Sequence, residues 1–300
     1  MAQKDVKNRI ASVKNIQKIT RAMEMVAAAR LRRAEQRIEA LRPYASAIRR
    51  MTRQAAEAAG NVPNLPILNE HESVSTVGLL LVTGDRGLAG AFNSQIVRAG
   101  VRVAAEHEGD GRSLAWYASG RRGTSSLQFR GREVIGSYTG FTDRPAYGDA
   151  RDIASDLMTA YIDGKVDQVE IIYNHYISPL TQKVTRETLL PLQQATILEG
   201  EDGDSEDGDE DETKRALVEY EPDPEEILQR LIPAYVEISI FRALLESTAS
   251  EHGARMTAMR NASTNAGDII KDLTLQMNRE RQAEITQEIL EVVSGAEGLT

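Results

Sequence analysis

The chain has 300 residues, of which 41% are hydrophobic and 27% charged, with a formal net charge of −9. This apolar fraction can build a sizeable core, while the absence of cysteine excludes disulfide scaffolds, thiol catalysis and cysteine-based zinc sites. No apolar run approaches the roughly 18 residues of a transmembrane helix, and we expect no secretory signal at the N-terminus. An aromatic content of 5% disfavours RNA-binding modules that stack bases.

The net charge is unevenly distributed along the chain. Residues 1–60 contain 14 Lys or Arg and five acidic residues, whereas residues 199–212 contain ten acidic residues and no base. A run of like charges interrupted by glycines cannot bury a core, so we expect an acidic, disordered loop over 199–212. A solvated linker is favoured there over a metal-binding segment.

The first 60 residues predict one long helix. Residues 3–58 contain no glycine and one proline, Pro43, where we expect a bend. At about 1.5 Å per residue the helix would be roughly 84 Å long, so it needs a helical partner. The residues of its predicted seam follow the alternating 4–3 spacing of heptads: Val6, Ile10, Val13, Gln17, Thr20, Glu24, Ala27, Leu31, Ala34, Ile38, Leu41, Ala45, Ile48, Thr52 and Ala55. A second stripe runs beside this seam and contains Ile16, Ile19, Met23 and Val26.

Residues 75–198 predict a central α/β domain. The predicted elements, in chain order, are strand 77–82, helix 92–105, strand 113–118, a short helix ending at Phe129, strand 133–137, helix 149–162, and two paired strands, 166–176 and 183–190. Such alternation is typical of a Rossmann-like domain with a largely parallel sheet and an antiparallel edge.

Residues 213–300 predict a second long helix. Its core-facing stripe is Ile227, Leu231, Ile238, Phe241, Leu245, Thr248, Met259, Ala266, Ile270, Leu273, Met277, Ile285, Ile289 and Val292. Paired antiparallel, the two terminal helices would form a long coiled coil attached to the α/β domain. The predicted segments are therefore an N-terminal coiled-coil helix (1–60), the α/β domain (75–198), the acidic loop (199–212) and a C-terminal coiled-coil helix (213–300).

The glycine-rich turn over residues 84–90, GDRGLAG, is the feature most typical of an enzyme. It matches neither G-x-G-x-x-G nor a P-loop. Its backbone could approach a phosphate at a helix N-terminus, but we favour a tight turn in which Asp85 pairs with Arg86. Because the four histidines show no ligand spacing and no nucleophile elbow occurs, we predict no catalytic, cofactor-binding or metal-binding residues.

Two helical surfaces are candidates for binding a partner. The bases of the first helix lie all around it, with little aromatic interleaving, so a solvated face or an acidic protein is favoured over nucleic acid. Near the C-terminus, Gln282 and Thr286 are four residues apart and share a face, with Arg281 about 100° away. An exposed helical surface and a polar contact with a partner are both open interpretations of this group.

Both ends of the chain resemble the gamma subunit of bacterial F-type ATP synthases. The segments that carry the resemblance are Ile19–Arg30 (ITRAMEMVAAAR) and Arg279–Ile289 (RERQAEITQEI). Residues 85–88, 92–93, 220–224 and 250–259 are also similar to the family, in the family's order.

The resemblance implies a non-catalytic rotor shaft that couples c-ring rotation, driven by proton or other ion flow, to ATP synthesis in the catalytic β subunits. Its partners would be the α and β subunits, the ε subunit and the membrane c-ring. The chain would be a peripheral protein at the cytoplasmic face of the cell membrane, with no inserted segment and no cofactor. The residues implied are Arg281, Gln282, Thr286 and Met23 for contact with β, and Tyr220 and Glu221 for the foot that faces the c-ring and ε.

Two other interpretations stay open from the residues alone. One is a nucleotide-binding α/β enzyme with helical oligomerisation arms, and the other is a coiled-coil adaptor. Tight binding of ATP, ADP or NAD would favour the enzyme, whereas co-purification with α, β and ε at fixed stoichiometry would favour the rotor.

Overall fold

The computed structural model describes residues 3–59, 66–68, 70–192 and 224–297. Within them, long helices at both ends of the chain flank an α/β sheet domain, as the sequence predicts. The elements are α1 (Gln3–Ala59), β1 (Thr76–Val82), α2 (Phe92–Gly109), β2 (Ser113–Ser119), α3 (Arg121–Phe129), β3 (Val134–Tyr138), α4 (Tyr147–Ile162), β4 (Gln168–Tyr176), β5 (Gln182–Leu190) and α5 (Pro224–Glu297). The predicted acidic loop, 199–212, lies outside the described residues.

The five strands form one sheet in the order β3-β2-β1-β4-β5. The pairs β1–β2, β1–β4 and β2–β3 are parallel, and β5 pairs antiparallel with β4 at the edge. The predicted largely parallel sheet with an antiparallel edge is confirmed. Leu79, Leu80 and Leu81 of the central strand are fully buried, because a parallel strand in this position is covered on both faces.

Alternation along the strands divides the core between the two faces of the sheet. On one face Leu81 and Ile172 pack with Ile96 of α2. On the other face Leu80 and Ile171 lie in a cluster that includes residues of α4 and α5. The sheet is therefore held between helices, which leaves its carboxyl end as the place to look for a site.

The chain divides into two compact units, residues 30–254 and residues 1–29 with 255–300. In the larger unit, Ala45 and Ile48 of α1 pack against Ile238 of α5. In the smaller unit, Gln17 Nε2 donates to the carbonyl of Ser263 at 3.2 Å, and Arg260 Nε donates to Glu24 at 2.8 Å. These two contacts show that the two helix segments of the smaller unit run antiparallel. The predicted segment boundaries remain predictions.

The predicted seam of α1 is buried or half-buried at every position, and α1 continues through Pro43. The stripe of α5 is buried or half-buried as far as Met277. Beyond it the prediction is wrong, because Ile285, Ile289 and Val292 are 48%, 57% and 72% exposed. The antiparallel register places the start of α1 level with about Glu280, so the last turns of α5 extend past it.

Candidate partner-contact surfaces

The glycine-rich turn connects β1 to α2 at the carboxyl end of the sheet. The chain order of the strands reverses beside β1, between β2 on one side and β4 on the other. In open α/β sheets this position is where ligands commonly bind. The geometry of the turn therefore decides between an enzyme site and a structural turn.

Asp85 anchors this turn instead of pairing with Arg86. Its Oδ1 accepts the backbone N–H of Arg121 at 3.0 Å, and its Oδ2 accepts the N–H of Gly140 at 2.9 Å and the hydroxyl of Thr142 at 3.0 Å. Burial acts to raise the pKa of Asp85, but these hydrogen bonds outweigh it and hold the pKa below its ordinary value. The predicted Asp85–Arg86 pair is wrong, because these donors already hold the carboxylate. Arg86 Nη1 instead lies 3.7 Å from Asp143.

Helix α5 covers the carboxyl end of the sheet with polar side chains. Ser247 Oγ donates to the carbonyl of Val82 at 3.3 Å, and Ser250 Oγ donates to the carbonyl of Asn174 at 3.1 Å. Glu251 is 2% exposed, and a Cβ added at Gly84 would lie 2.7 Å from its carboxyl carbon. A phosphate cradle needs empty space lined by donors, whereas the carboxyl group of Glu251 fills the space beside Gly84. The turn is thus structural.

The histidines have partners that the sequence did not reveal. His71 Nδ1 lies 2.7 Å from Asp167, His107 Nε2 lies 3.3 Å from Glu170, and His175 Nδ1 lies 2.6 Å from Glu246. Each of these carboxylates is largely buried, and burial raises the pKa of Glu246 against the opposing influence of Arg242 and His175. Among the residues that the structure describes, no group of three or more acidic or histidine side chains could hold a metal ion.

A cavity of about 620 Å³ lies in the larger unit between α1, the end of β4 and α5. Its lining mixes both charge signs and apolar residues, including Arg42, Arg49, Glu39, Ile38 and Leu245. None of the described helices combines the length and the apolar character that a membrane span requires.

The predicted β-contact residues occupy two separate places in the smaller unit. Arg281, Gln282 and Thr286 are all exposed on α5, with the Thr286 hydroxyl donating 2.8 Å to the carbonyl of Gln282. Met23 is half-buried on α1, next to Glu24, which pairs with Arg260 of α5. Arg260 precedes Arg281 by 21 residues on that helix, so the structure does not bring Met23 to the other three residues. Tyr220 and Glu221 lie outside the described residues. No partner chain is present, so the contacts themselves stay predictions.

An exposed apolar stripe on α1 is the surface that sequence reasoning undervalued. Ile16, Ile19 and Val26 are 50%, 59% and 53% exposed, although they continue the helical spacing of a core face. The helical spacing of these residues was visible in the sequence. Spacing alone does not tell which of the two apolar stripes of α1 the partner helix covers. Exposed apolar side chains at helical spacing are candidates for contact with a partner. Together with the last turns of α5, it makes the smaller unit the candidate partner-contact surface.

Comparison with known proteins gives the family. The ATP synthase family model matches residues 2–299. The chain is 42% identical over 296 residues to the ATP synthase gamma chain of Rubrobacter xylanophilus, covering 99% of this chain and 98% of that one.

Two solved structures are also similar. A chain of the central stalk/c-ring structure of the Tetrahymena thermophila mitochondrial ATP synthase has a TM-score of 0.60 and 28% identity, and the match covers 82% of this chain and 99% of that chain. A chain from the Euglena gracilis mitochondrial ATP synthase has a TM-score of 0.69 at 17% identity, with 99% and 94% covered, which shows the fold alone. The chain belongs to the family of ATP synthase gamma chains.

Proposed function

We propose that this chain is the central rotor shaft of an F-type ATP synthase, coupling ion-driven rotation of the c-ring to conformational change and ATP synthesis in the β subunits. The observation that carries the proposal is family membership over almost the whole chain. The similar Tetrahymena chain comes from a structure of the central stalk and c-ring. The partners would be the α and β subunits, ε and the c-ring, at the cytoplasmic face of the membrane.

In this proposal the chain itself performs no chemistry. The place where an α/β domain would bind a nucleotide is occupied by Glu251, which lies against Gly84. Two long helices would supply the stiffness that a shaft needs, and the seam of α1 is buried or half-buried from Val6 to Ala55. Catalysis would take place in β, which this chain would move through its successive conformations.

Contact with β is assigned to the exposed polar group Arg281, Gln282 and Thr286, with Met23 on α1. Exposure leaves the Arg281 guanidinium free to reach carboxylates of a partner. A shaft that turns needs contacts that form and break, and exposed polar pairs are individually weak enough to do so. Tyr220 and Glu221 would face the c-ring and ε.

The test uses the complete complex purified through this chain. We expect α, β and ε to co-purify at fixed stoichiometry. The double variant Arg281→Ala with Gln282→Ala should lower coupled ATP synthesis or assembly about fivefold, the effect of losing about 1 kcal/mol of contact. A matched control is Gln128→Ala with Arg130→Ala, which removes the same residue types from exposed positions in the last turn of α3 and directly after it. Normal assembly and synthesis in the first double variant would remove the assigned contact, and absence of α and β from the purified material would remove the rotor function.

A further inference from the structure

The loop over residues 139–146, between β3 and α4, contacts three parts of the larger unit. It lies at the carboxyl end of the sheet, where the Asp85 turn, α1 and α5 converge on it. Nothing in the proposed function assigns it a role. Besides the apolar contact of Phe141 with the core, the loop makes directional hydrogen bonds and an ion pair, which suit it to hold elements in a fixed orientation.

On the side of the helices, the loop binds both α1 and α5. Asp143 forms an ion pair with Arg30 of α1, and the carbonyl of Pro145 accepts a hydrogen bond from the Arg37 guanidinium. The Thr248 hydroxyl of α5 lies 2.9 Å from the carbonyl of Thr142 and 2.8 Å from that of Leu244, so the two carbonyls share its one hydrogen. The loop therefore connects to both long helices within a few residues.

On the side of the sheet, Thr142 and Asp85 bind each other reciprocally. The Thr142 hydroxyl donates to Asp85 Oδ2 at 3.0 Å and accepts the backbone N–H of Asp85 at 2.9 Å. Thr142 is 7% exposed, so these bonds are shielded from competing water. Thr142 thus binds the end of β1 through its side chain and α5 through its carbonyl.

The hydrogen bonds of this loop depend on direction, whereas the apolar packing of the surrounding core does not. Apolar packing resists separation but is not directional, so packed helices can slide or turn by small amounts. Buried hydrogen bonds lose their energy steeply when donor and acceptor are displaced or misaligned. Under a twisting load, the hydrogen bonds of this loop, together with those of Ser247 and Ser250, resist rotation of the helices relative to the sheet.

We propose that Thr142 is a positioning residue that fixes α1 and α5 rotationally to the sheet domain, so that torque passes between them without slip. This inference rests on the proposed rotor function. It concerns transmission under load and not assembly or chemistry, because Thr142 is buried inside the larger unit. Loss of its hydroxyl should therefore matter most when the rotor works against an opposing gradient.

The test compares Thr142→Val, which keeps the shape but lacks the hydroxyl, with Thr142→Ser, which keeps the hydroxyl. Both are studied in the whole complex reconstituted in membrane vesicles. We expect Thr142→Val to leave ATP hydrolysis without an ion gradient unchanged. Its rate of ATP-driven ion pumping against an imposed opposing ion gradient should fall about fivefold, as expected for the loss of one buried hydrogen-bond system. Thr142→Ser should pump like the unaltered chain.

Equal pumping by Thr142→Val and Thr142→Ser at every gradient would overturn the proposal, as would a loss that is the same with and without load. If Thr142→Val does not assemble, Arg30→Met tests the same loop through its ion pair with Asp143. It should show a smaller loss that also grows with the opposing gradient, and a load-independent loss would overturn the proposal. If the unaltered chain fails to assemble with α and β, the rotor function itself fails, which is a distinguishable result.

Discussion

Two segments of the same helix, α5, differ in burial although both mix polar and apolar residues. Residues 243–252, the buried segment, are all buried although they include Glu246, Glu251 and His252. Residues 281–292, the exposed segment, are all exposed although they include Ile285, Ile289 and Val292. Burial in this chain is therefore set by what lies beside each segment. Polar side chains are buried where specific acceptors lie beside them, and apolar side chains are exposed where the described part of the chain supplies no neighbour.

The largest effect is expected at the closed carboxyl end of the sheet, which the buried segment covers. Gly120 has a φ of +92°, and a Cβ added there would lie 2.1 Å from the carbonyl oxygen of Thr83. Gly120→Ala should lower the free energy of unfolding by at least about 4 kcal/mol, because backbone strain and a clash with backbone combine. Urea denaturation of the purified chain, followed by circular dichroism, measures this.

Gly164→Ala is the control for backbone strain alone. Gly164 also has a positive φ, of +68°, but nothing lies within 4 Å of an added Cβ. The expected cost is about 1 kcal/mol. Equal losses in the two variants would show that the closed end is not tightly packed and would weaken the contrast with the exposed segment.

A smaller effect is expected at the opposite, amino end of the sheet. Asp167 accepts hydrogen bonds from the Ser75 hydroxyl at 2.6 Å and the Thr76 N–H at 2.8 Å, and it pairs with His71. Burial acts to raise the pKa of Asp167, but the bonds from His71, Ser75 and Thr76 outweigh it and hold the pKa far below its ordinary value. Its stabilisation is therefore present above the unfolded pKa of about 4 and is lost as the pH falls below it.

Asp167→Asn should cost about 2 kcal/mol at pH 7 and flatten the decline of stability between about pH 5 and pH 3. Urea denaturation at several pH values measures both effects. Asp163→Asn, at a more exposed site paired only with Lys165, is the control and should leave the pH dependence unchanged. A pH profile of Asp167→Asn that parallels that of the unaltered chain would contradict the assignment.

The sequence predicted the parts of the fold that depend on periodicity. The seam of α1 from Val6 to Ala55 could be read from its 4–3 spacing, because one partner helix covers one stripe. The alternation of strands and helices likewise predicted the sheet, including its antiparallel edge. Of the predicted contact residues, Arg281, Gln282 and Thr286 all lie in the exposed segment, and their contact with a partner stays a prediction.

The parts that could not be predicted depend on contacts between distant residues. The buried segment has no hydrophobic period, because the end of the sheet surrounds it and its partners include Val82 and Asn174. Asp85 accepts hydrogen bonds from donors 36 to 57 residues away along the chain. The residues next to it in sequence, such as Arg86, give no indication of these partners. Ile289 continues the period of a core face, yet the end of a seam depends on where the other helix begins.

The smallest effect on the isolated chain is expected in the exposed segment itself. Ile289 and Val292 are 57% and 72% exposed, so Ile289→Ser with Val292→Ser should change the free energy of unfolding by less than about 0.5 kcal/mol. Leu245→Ser, at a position 1% exposed, is the contrasting variant and should cost about 3 kcal/mol or more. Urea denaturation of the purified chains measures both. If the exposed residues contact a partner, the same double variant should nevertheless weaken co-purification of α and β. A large loss of stability in the isolated chain would instead mean that the exposed segment packs against this chain itself, and the contrast between the two segments of α5 would fail.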